Sequence, residues 1–453
     1  MFPFRNATHR RHLLGAVIAT AASWALAPAS SAEAPAAADD AEFTQQVERL
    51  ARQLNDDVAA RRDEAERQLL DLAGTIATSA DRLLAALPAE SDQMPLAVRE
   101  RLARIRRQVQ DRAAKAATAA TTVTLSADDM PLTEVVAAIE KQTGNRLVDQ
   151  RGQFGEVLAA NQPKVTISFN EEPYWSAVDQ LLDQLGLSVY NYAGDDALAI
   201  VSRDPNDGPR HGSAVYSGPF RLEILEIQAQ RNLRKPGSKS LRLQLEVSWE
   251  PRLRPIAISQ PAADLTAADA TGRELAVAQP EAVLATEVPT GTQATELILS
   301  FDAPPRDVGE IGSLRGRLRA LVPGRQAKFR FDDLARAAGK SQRIGGVEVR
   351  VDAVRRNNAI WEVHMRLRLD EDNHALESHR GWAYQNLSYL VDQNGESIDN
   401  AGLETTLQRP NEVGVAYFFD LPDGVDGLTW VYETPAAIVE LPVDFEIKDI
   451  SLP

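Results

Sequence analysis

The 453-residue chain contains no cysteine. That absence excludes disulfides, Cys-type zinc sites, iron–sulfur ligation, a cysteine nucleophile and the lipid-bearing cysteine of a lipoprotein. Positive charge is also scarce: 49 Lys and Arg face 65 Asp and Glu, a formal net charge of −16. Arg5, Arg10 and Arg11 are the only charged residues of positions 1–32, so without that segment the balance falls to −19. A surface this acidic repels nucleic-acid phosphates and anionic lipid headgroups, which argues against nucleic-acid binding. Long apolar runs are missing after the N-terminus, so no integral membrane segment is expected once that segment is removed. What remains is ordinary globular composition, 44% hydrophobic and 25% charged, with room for about three domains at roughly 150 residues each.

The N-terminus has the three-part layout of a secretory signal. Arg5, Arg10 and Arg11 precede an uncharged run from Leu13 to Ala27, and Ser30-Ser31-Ala32 supplies small residues for cleavage. The run is 15 residues, short of the ~20 that span a bilayer. Arg10-Arg11-His12-Leu13-Leu14 resembles a twin-arginine signal, which leaves Sec and Tat export both open. Export to the periplasm or beyond is the expectation, with residues 1–32 as signal and 33–40 as linker.

From Phe43 apolar residues recur in steps of three and four: Val47, Leu50, Leu54, Val58, Ala65, Leu69, Leu72, Ile76, Leu83 and Leu87. This heptad-like stripe predicts one helix of some 45 residues, stopped by Pro88. Pro95 suits the first turn of a second helix carrying Val98, Leu102, Ile105, Val109 and Ala113. Over 41–119 the pattern predicts a long helical hairpin or coiled coil. The second helix is too short to cover the first and ends in Ala113, Ala114, Ala116 and Ala117, so its uncovered end is expected to meet a partner or a second copy.

Residues 123–148 align without a gap on residues 165–190, with seven of 26 positions identical at an offset of 42. Each copy reads as a strand, a turn, a Pro-opened helix (Pro131, Pro173) ended by Gly144 or Gly186, and a second strand. A last strand, Ala197–Val201, completes a βαβ-βαββ repeat of α+β class, with two helices over one face of a sheet. The pattern Pro131-Leu132-x-x-Val135-x-x-x-Ile139-x-x-Gln142-x-Gly144, followed by Pro173-x-x-x-Ala177-x-x-x-Leu181-Leu182-x-x-x-Gly186-Leu187-x-x-x-x-Tyr192, resembles the secretin and TonB short N-terminal domain (STN-like) over about 120–203. The resemblance implies a periplasmic unit that docks on proteins. Neither a secretin domain nor a plug and barrel follows, so secretion and siderophore uptake are not implied. The insertion Gln150–Gln162 is a further departure from the family.

Residues 204–217 are turn-rich and read as a linker. Beyond them short alternating strands occupy 218–334 and, after a basic linker at 335–345, recur over 346–453; two tandem antiparallel β-sandwiches of immunoglobulin-like look are expected. The halves correspond in order: Leu265–Leu275 with Ser388–Ile398, Phe301-Asp302-x-Pro304 with Phe419-Asp420-x-Pro422, and Phe329–Leu334 with Phe445–Ile450. A tandem duplication accounts for this. The Asp-x-x-Gly elements read as hairpin turns. The fold expected is multidomain: a helical hairpin, a small α+β domain and two sandwiches.

Chemical motifs are sparse. A metal reading would recruit His374, His379 and a carboxylate from Asp370-Glu371-Asp372; a polar loop is the ordinary alternative, since no HExxH spacing exists. Asp370–Asp372 lacks the Gly and distal Glu of an EF-hand loop. No Gly-x-Ser-x-Gly elbow, Walker loop or Rossmann fingerprint occurs. Trp175, Trp249, Trp361, Trp382 and Trp430 read as core before sugar platforms. No catalytic, cofactor or metal residue is assigned. The expectation is an exported, non-enzymatic envelope adaptor that binds an envelope partner, itself or both, with exposed strand edges such as Leu187–Tyr192 or Ala197–Val201 open to strand addition. The competing readings are a carbohydrate- or polymer-acting hydrolase with accessory sandwiches, and a ligand- or ion-binding sensor.

Overall fold

The computed structural model describes residues 34–74, 77–88, 94–154, 163–194, 196–235, 239–289, 291–369, 381–422 and 424–453; the export segment, the His374/His379 group and Asp370–Asp372 lie outside them. Strands dominate, and the chain is β-rich with several separate sheets.

The N-terminal stripe is not one helix but three, α1 (Ala34–Gln53), α2 (Ala59–Leu72) and α3 (Ala77–Ala86), followed by α4 (Leu96–Ala117). The residues expected as a linker at 33–40 are helical from Ala34. Two local features break the expected 45-residue helix. Asp56 Oδ1 accepts the Val58 N–H at 2.8 Å, an Asx turn that competes with helical bonding, and Gly74 takes φ 58° after α2. Each helix therefore packs on at least two others, and Leu69, Leu83, Leu102, Ile105 and Val109 are fully buried in one core. Burial of such a side chain stabilises by about 1.5–3 kcal/mol. The stripe is satisfied by a four-helix cluster within the chain rather than by a hairpin with an open end.

The α+β repeat follows as β1 (Thr122–Pro131), α5 (Leu132–Thr143), β2 (Leu147–Asp149), β3 (Lys164–Pro173), α6 (Tyr174–Leu185), β4 (Leu187–Tyr190) and β5 (Leu198–Ser202). Gly144 and Gly186 cap the helices in left-handed conformation, φ 70° and 65°, as the sequence predicts. Pro95, Pro131 and Pro173 sit one position earlier than expected, as N-caps with ψ near 139°, because the residues at 131 and 173 still close a strand.

The two copies obey a pseudo-two-fold. Leu132 N–H bonds to the Pro163 carbonyl and, 42 residues on, Tyr174 N–H bonds to the Thr121 carbonyl, at 2.8 and 3.0 Å. Thr166 Oγ1 accepts the Asp129 N–H, and Thr124 Oγ1 accepts the Glu171 N–H. The strands form two sheets, not one: an antiparallel β1–β3 ribbon, and a three-stranded sheet in which β5 lies between β2 and β4. Ala197–Val201 is thus the centre of a sheet rather than an edge.

The first β region comprises β6 (Val215–Ser217), β7 (Phe220–Arg231), β8 (Lys239–Trp249), β9 (Ala257–Pro261), β10 (Thr266–Asp269), β11 (Glu274–Leu275), β12 (Val283–Glu287), β13 (Ala294–Phe301) and β14 (Glu310–Phe331). The second comprises β15 (Ser341–Ile344), β16 (Val347–Asn357), β17 (Ile360–Leu369), α7 (Gly381–Tyr384), β18 (Leu387–Val391), β19 (Ser397–Asp399), β20 (Gly402–Arg409), β21 (Glu412–Asp420) and β22 (Thr429–Ser451). β6 and β15 fall in the two stretches expected as linkers.

The two halves correspond strand by strand: the sheet β13-β8-β7-β6 matches β21-β17-β16-β15, and the β10–β11 hairpin matches β18–β19. Gly272 and Gly395 both take φ 85° in the matched Asp-x-x-Gly turns. Asp333 and Asp449, 116 residues apart, are both left-handed.

The boundary between sandwiches is not where the linker suggested. β14 and β22, 22 and 23 residues long, pair antiparallel from Glu310↔Ser451 to Phe331↔Trp430. The first part of β14 (Ile311, Leu314, Leu318) and the last part of β22 (Val443, Phe445, Ile450) close the first core. The last part of β14 (Ala327, Phe329, Phe331) and the first part of β22 (Trp430, Tyr432) close the second. The sandwiches are interlocked, each completed by a strand segment from the other half.

α4 docks on the middle of this ribbon, where a Cβ on Gly324 would lie 2.5 Å from the Ala114 Cβ. Of the small residues at the end of α4, Ala114 is buried against the chain's own sheet.

Candidate functional site

The α+β repeat joins the first sandwich through buried charge. Asp179, on α6 and fully buried, accepts from Arg210 Nε at 2.8 Å, Arg221 Nε at 2.7 Å and the Tyr216 hydroxyl at 2.9 Å. Arg221, 1% exposed on β7, also donates to Glu223 at 2.6 Å. Burial opposes the Arg221 charge, but Asp179 and Glu223 outweigh it and hold its proton affinity above the ordinary guanidinium value. Burial, with Asp179 beside it, likewise pushes the Tyr216 phenol up.

A second knot lies at the helical end. Glu250, 1% exposed, accepts from the Thr121 N–H and hydroxyl at 2.8 Å each, from Asn145 Nδ2 at 2.9 Å and from Arg252 Nε at 2.8 Å. Arg252 also donates to the carbonyls of Ala117, the last residue of α4, and Ala119. Trp175 adds an indole N–H bond to the Pro219 carbonyl at 3.1 Å. The sequence offered no signal for either knot, because each unites residues far apart along the chain. Breaking one member leaves an uncompensated buried charge, so the repeat is held rigidly on the first sandwich.

Among the sheet edges of the described residues, that of β4 lies beside exposed aromatic side chains. This strand is terminal in its sheet, pairing with β5 alone. At its end Tyr190 and Tyr192 meet edge to face, centroids 5.9 Å apart, and are 41% and 44% exposed. The intervening Asn191 anchors the turn: its carbonyl accepts the Gln293 N–H at 2.7 Å and its amide donates to Glu246 at 3.2 Å. Partial burial raises the Tyr192 phenol, with Glu246 and Glu296 contributing. Burial also raises Glu246, despite Arg221 nearby. Ile298, 55% exposed, lies two residues beyond Glu296 on the same face of β13, itself a sheet edge. The result is an acid-rimmed aromatic patch beside an unpaired strand edge.

The residues singled out by sequence disperse. Trp249 and Trp430 are fully buried, Trp430 stacking on Tyr432 with centroids 5.7 Å apart. His364 bonds to Glu362 at 2.7 Å, and with Asn357 and Arg355 it holds that carboxyl down at about 2. His211 donates its backbone N–H to Asp183. Asp269 is held down at about 2 by Thr271 and Arg273, which makes it the anchor of a hairpin turn. Among the described residues no three metal-ligating side chains cluster, and no described helix is long and apolar enough to cross a membrane. Comparisons of the chain with protein-family models, with curated proteins and with solved structures return no match.

Proposed function

We propose that this chain is an exported, non-enzymatic scaffold of a bacterial envelope, built as a helical cluster, an STN-like α+β repeat and two sandwiches. Its partner is a protein that presents an extended, basic segment. That segment adds as a strand to β4, while its side chains meet Tyr190, Tyr192 and the acids Glu246 and Glu296. The observation that carries this reading is the unpaired edge of β4 beside two exposed tyrosines and an acidic rim. Backbone pairing at such an edge supplies affinity without sequence-demanding chemistry, and the pockets alongside supply selectivity. Opposite charge across the rim favours fast encounter and correct partners. The buried knots at Asp179 and Glu250 suit a scaffold, because a docking edge held rigidly loses little freedom on binding.

The test places a photo-crosslinking residue at Tyr192 in the full chain expressed with its own leader. A control carries it at Arg317, on the outer face of β14. The proposal expects a processed, exported protein and one stoichiometric adduct from position 192 alone, lost when Glu246 and Glu296 are both changed to Lys. Retention in the cytoplasm, equal adducts from both positions, or a folded exported protein with no adduct would overturn it.

A further inference from the structure

The outer face of the second sandwich holds a cavity of ≈ 500 Å³ that the docking edge does not use, lined by Arg350, Arg366, Arg368 and Arg409 with Glu348 and Glu412. Four guanidiniums converge here in a chain of net charge −16. They come from three strands, β16, β17 and β20, and alternate residues of β16 and β17 form the core beneath. Arg350 stands directly opposite Arg366 in the register, a like-charged pair that destabilises a sheet unless something lies between. Asp352 does: it takes Arg366 Nε at 2.5 Å and Arg350 Nε at 3.3 Å.

The remaining acids are committed as well. Glu412 takes Arg409 at 3.3 Å and Arg366 at 3.5 Å, and Glu348 takes Arg343 at 3.7 Å. Arg368 is flanked in the register by both Glu348 and Glu412, yet among the described residues its guanidinium pairs with neither. Arg409 spends one terminal nitrogen on Glu412 and keeps the rest of its fork. Among the described residues the cavity thus presents an unpaired planar fork beside a half-committed one, with Asp352, Glu348 and Glu412 each facing another arginine.

We propose that this cavity binds a phosphate monoester or pyrophosphate group, with Arg368 as the primary contact and Arg409 as the second. Guanidinium forks match phosphate oxygens bidentately, and two forks answer a doubly charged group better than a single carboxylate does. The volume falls within the range of small-ligand sites. The acidic remainder of the surface repels extended polyanions, so selection falls on compact ones. The same repulsion disfavours an anionic bilayer, so a soluble phosphate is the expected source; a lipid headgroup, which offers Arg368 the same chemistry, is the other outcome the test distinguishes.

Pyrophosphate is titrated into the full-length mature protein at constant ionic strength, beside sodium chloride as reference. Sedimentation with vesicles of phosphatidic acid in phosphatidylcholine, against phosphatidylcholine alone, forms the second arm. Saturable binding in the first arm identifies a soluble ligand, and binding confined to the second a headgroup. In whichever arm binds, Arg368→Gln should weaken affinity at least tenfold and Arg409→Gln several-fold. Arg315→Gln, the same loss of charge on the outer face of β14, should change it less than twofold. Thermal melts of each variant verify folding. Equal weakening by Arg315→Gln and Arg368→Gln, or saturation in neither arm, overturns the proposal.

Discussion

The chain contains two internal duplications, and they bury their halves by opposite routes. In the α+β repeat the copies are 42 residues apart and lie in one core: β1 pairs with β3, and the helices and remaining strands pack together behind that ribbon. In the β region the matched segments lie 116 to 123 residues apart and each copy keeps a core of its own. There the halves are joined by exchange, because the 22- and 23-residue strands β14 and β22 run through both sandwiches. Where a repeat is too small to bury a core, two copies must share one. Where each copy is large enough, the pseudo-two-fold falls on a common strand pair instead. Self-similarity reveals duplication in both cases, but not which copy completes which core.

The largest expected effect lies at the joint between the two regions. Asp179→Ala removes the carboxylate that compensates Arg221, itself 1% exposed. The loss should be about 3–5 kcal/mol, the range for breaking a buried ion pair from one side. Urea unfolding should show the α+β repeat coming away first, with two transitions where the parent has coupled ones. The double variant Asp179→Ala, Arg221→Met should recover part of the loss, since the fully buried pair is then gone while the less buried Arg210 and Glu223 each lose a partner. A single transition at the parental midpoint for Asp179→Ala would show that the two regions are independent.

A smaller effect is expected where α4 meets the exchanged strands. Gly324 lies near the centre of the ribbon, and a Cβ there would meet Ala114 Cα at 2.8 Å and the Ala437 carbonyl at 2.9 Å. Gly324→Val should cost about 1–3 kcal/mol by overpacking. Hydrogen exchange should speed up in α4 and in the middle of β14 together, while β16 and β17 keep their protection. Unchanged exchange in α4 would mean that the helical cluster does not use the ribbon as its floor.

Much of this architecture was legible in the sequence. Gly144 and Gly186 announced the helix ends because a left-handed C-cap has few alternatives to glycine. The matched Asp-x-x-Gly turns were legible for the same reason. What escaped was continuity and interruption. Proline and glycine ordinarily interrupt a strand, yet Pro323 pairs with Ile438 and Pro435 with Gln326 inside one ribbon. Asn55-Asp56-Asp57 and Gly74 looked tolerable within a helical stripe, yet they divide it, since tertiary packing of four short helices outweighs the extension of one. The candidate sites were least legible of all. The knots at Asp179 and Glu250, and the arginine-lined cavity, join residues whose proximity only the register of distant strands creates.

The smallest effects give the sharpest test of equivalence between copies. Asp129 and Glu171 occupy the same place in the two halves of the α+β repeat, both left-handed at φ 49° and 52°, each with its N–H on a threonine hydroxyl of the opposite strand. Asp333 and Asp449 are the corresponding pair in the β region, at φ 55° and 54°. A left-handed residue with a side chain costs about 1–2 kcal/mol, less for Asp than for Glu, whereas glycine adopts the conformation freely but loses more entropy on folding. Glycine at each position should therefore stabilise, by about 0.5–1 kcal/mol at Glu171 and by a few tenths at the three aspartates. Asp333→Gly and Asp449→Gly should match each other within error in urea titrations, because the same left-handed backbone conformation recurs towards both ends of the exchanged ribbon. If Asp449→Gly destabilises while Asp333→Gly does not, the two ends are no longer equivalent. Strand exchange would then have broken the symmetry that the smaller repeat, with its reciprocal threonine bonds, still keeps.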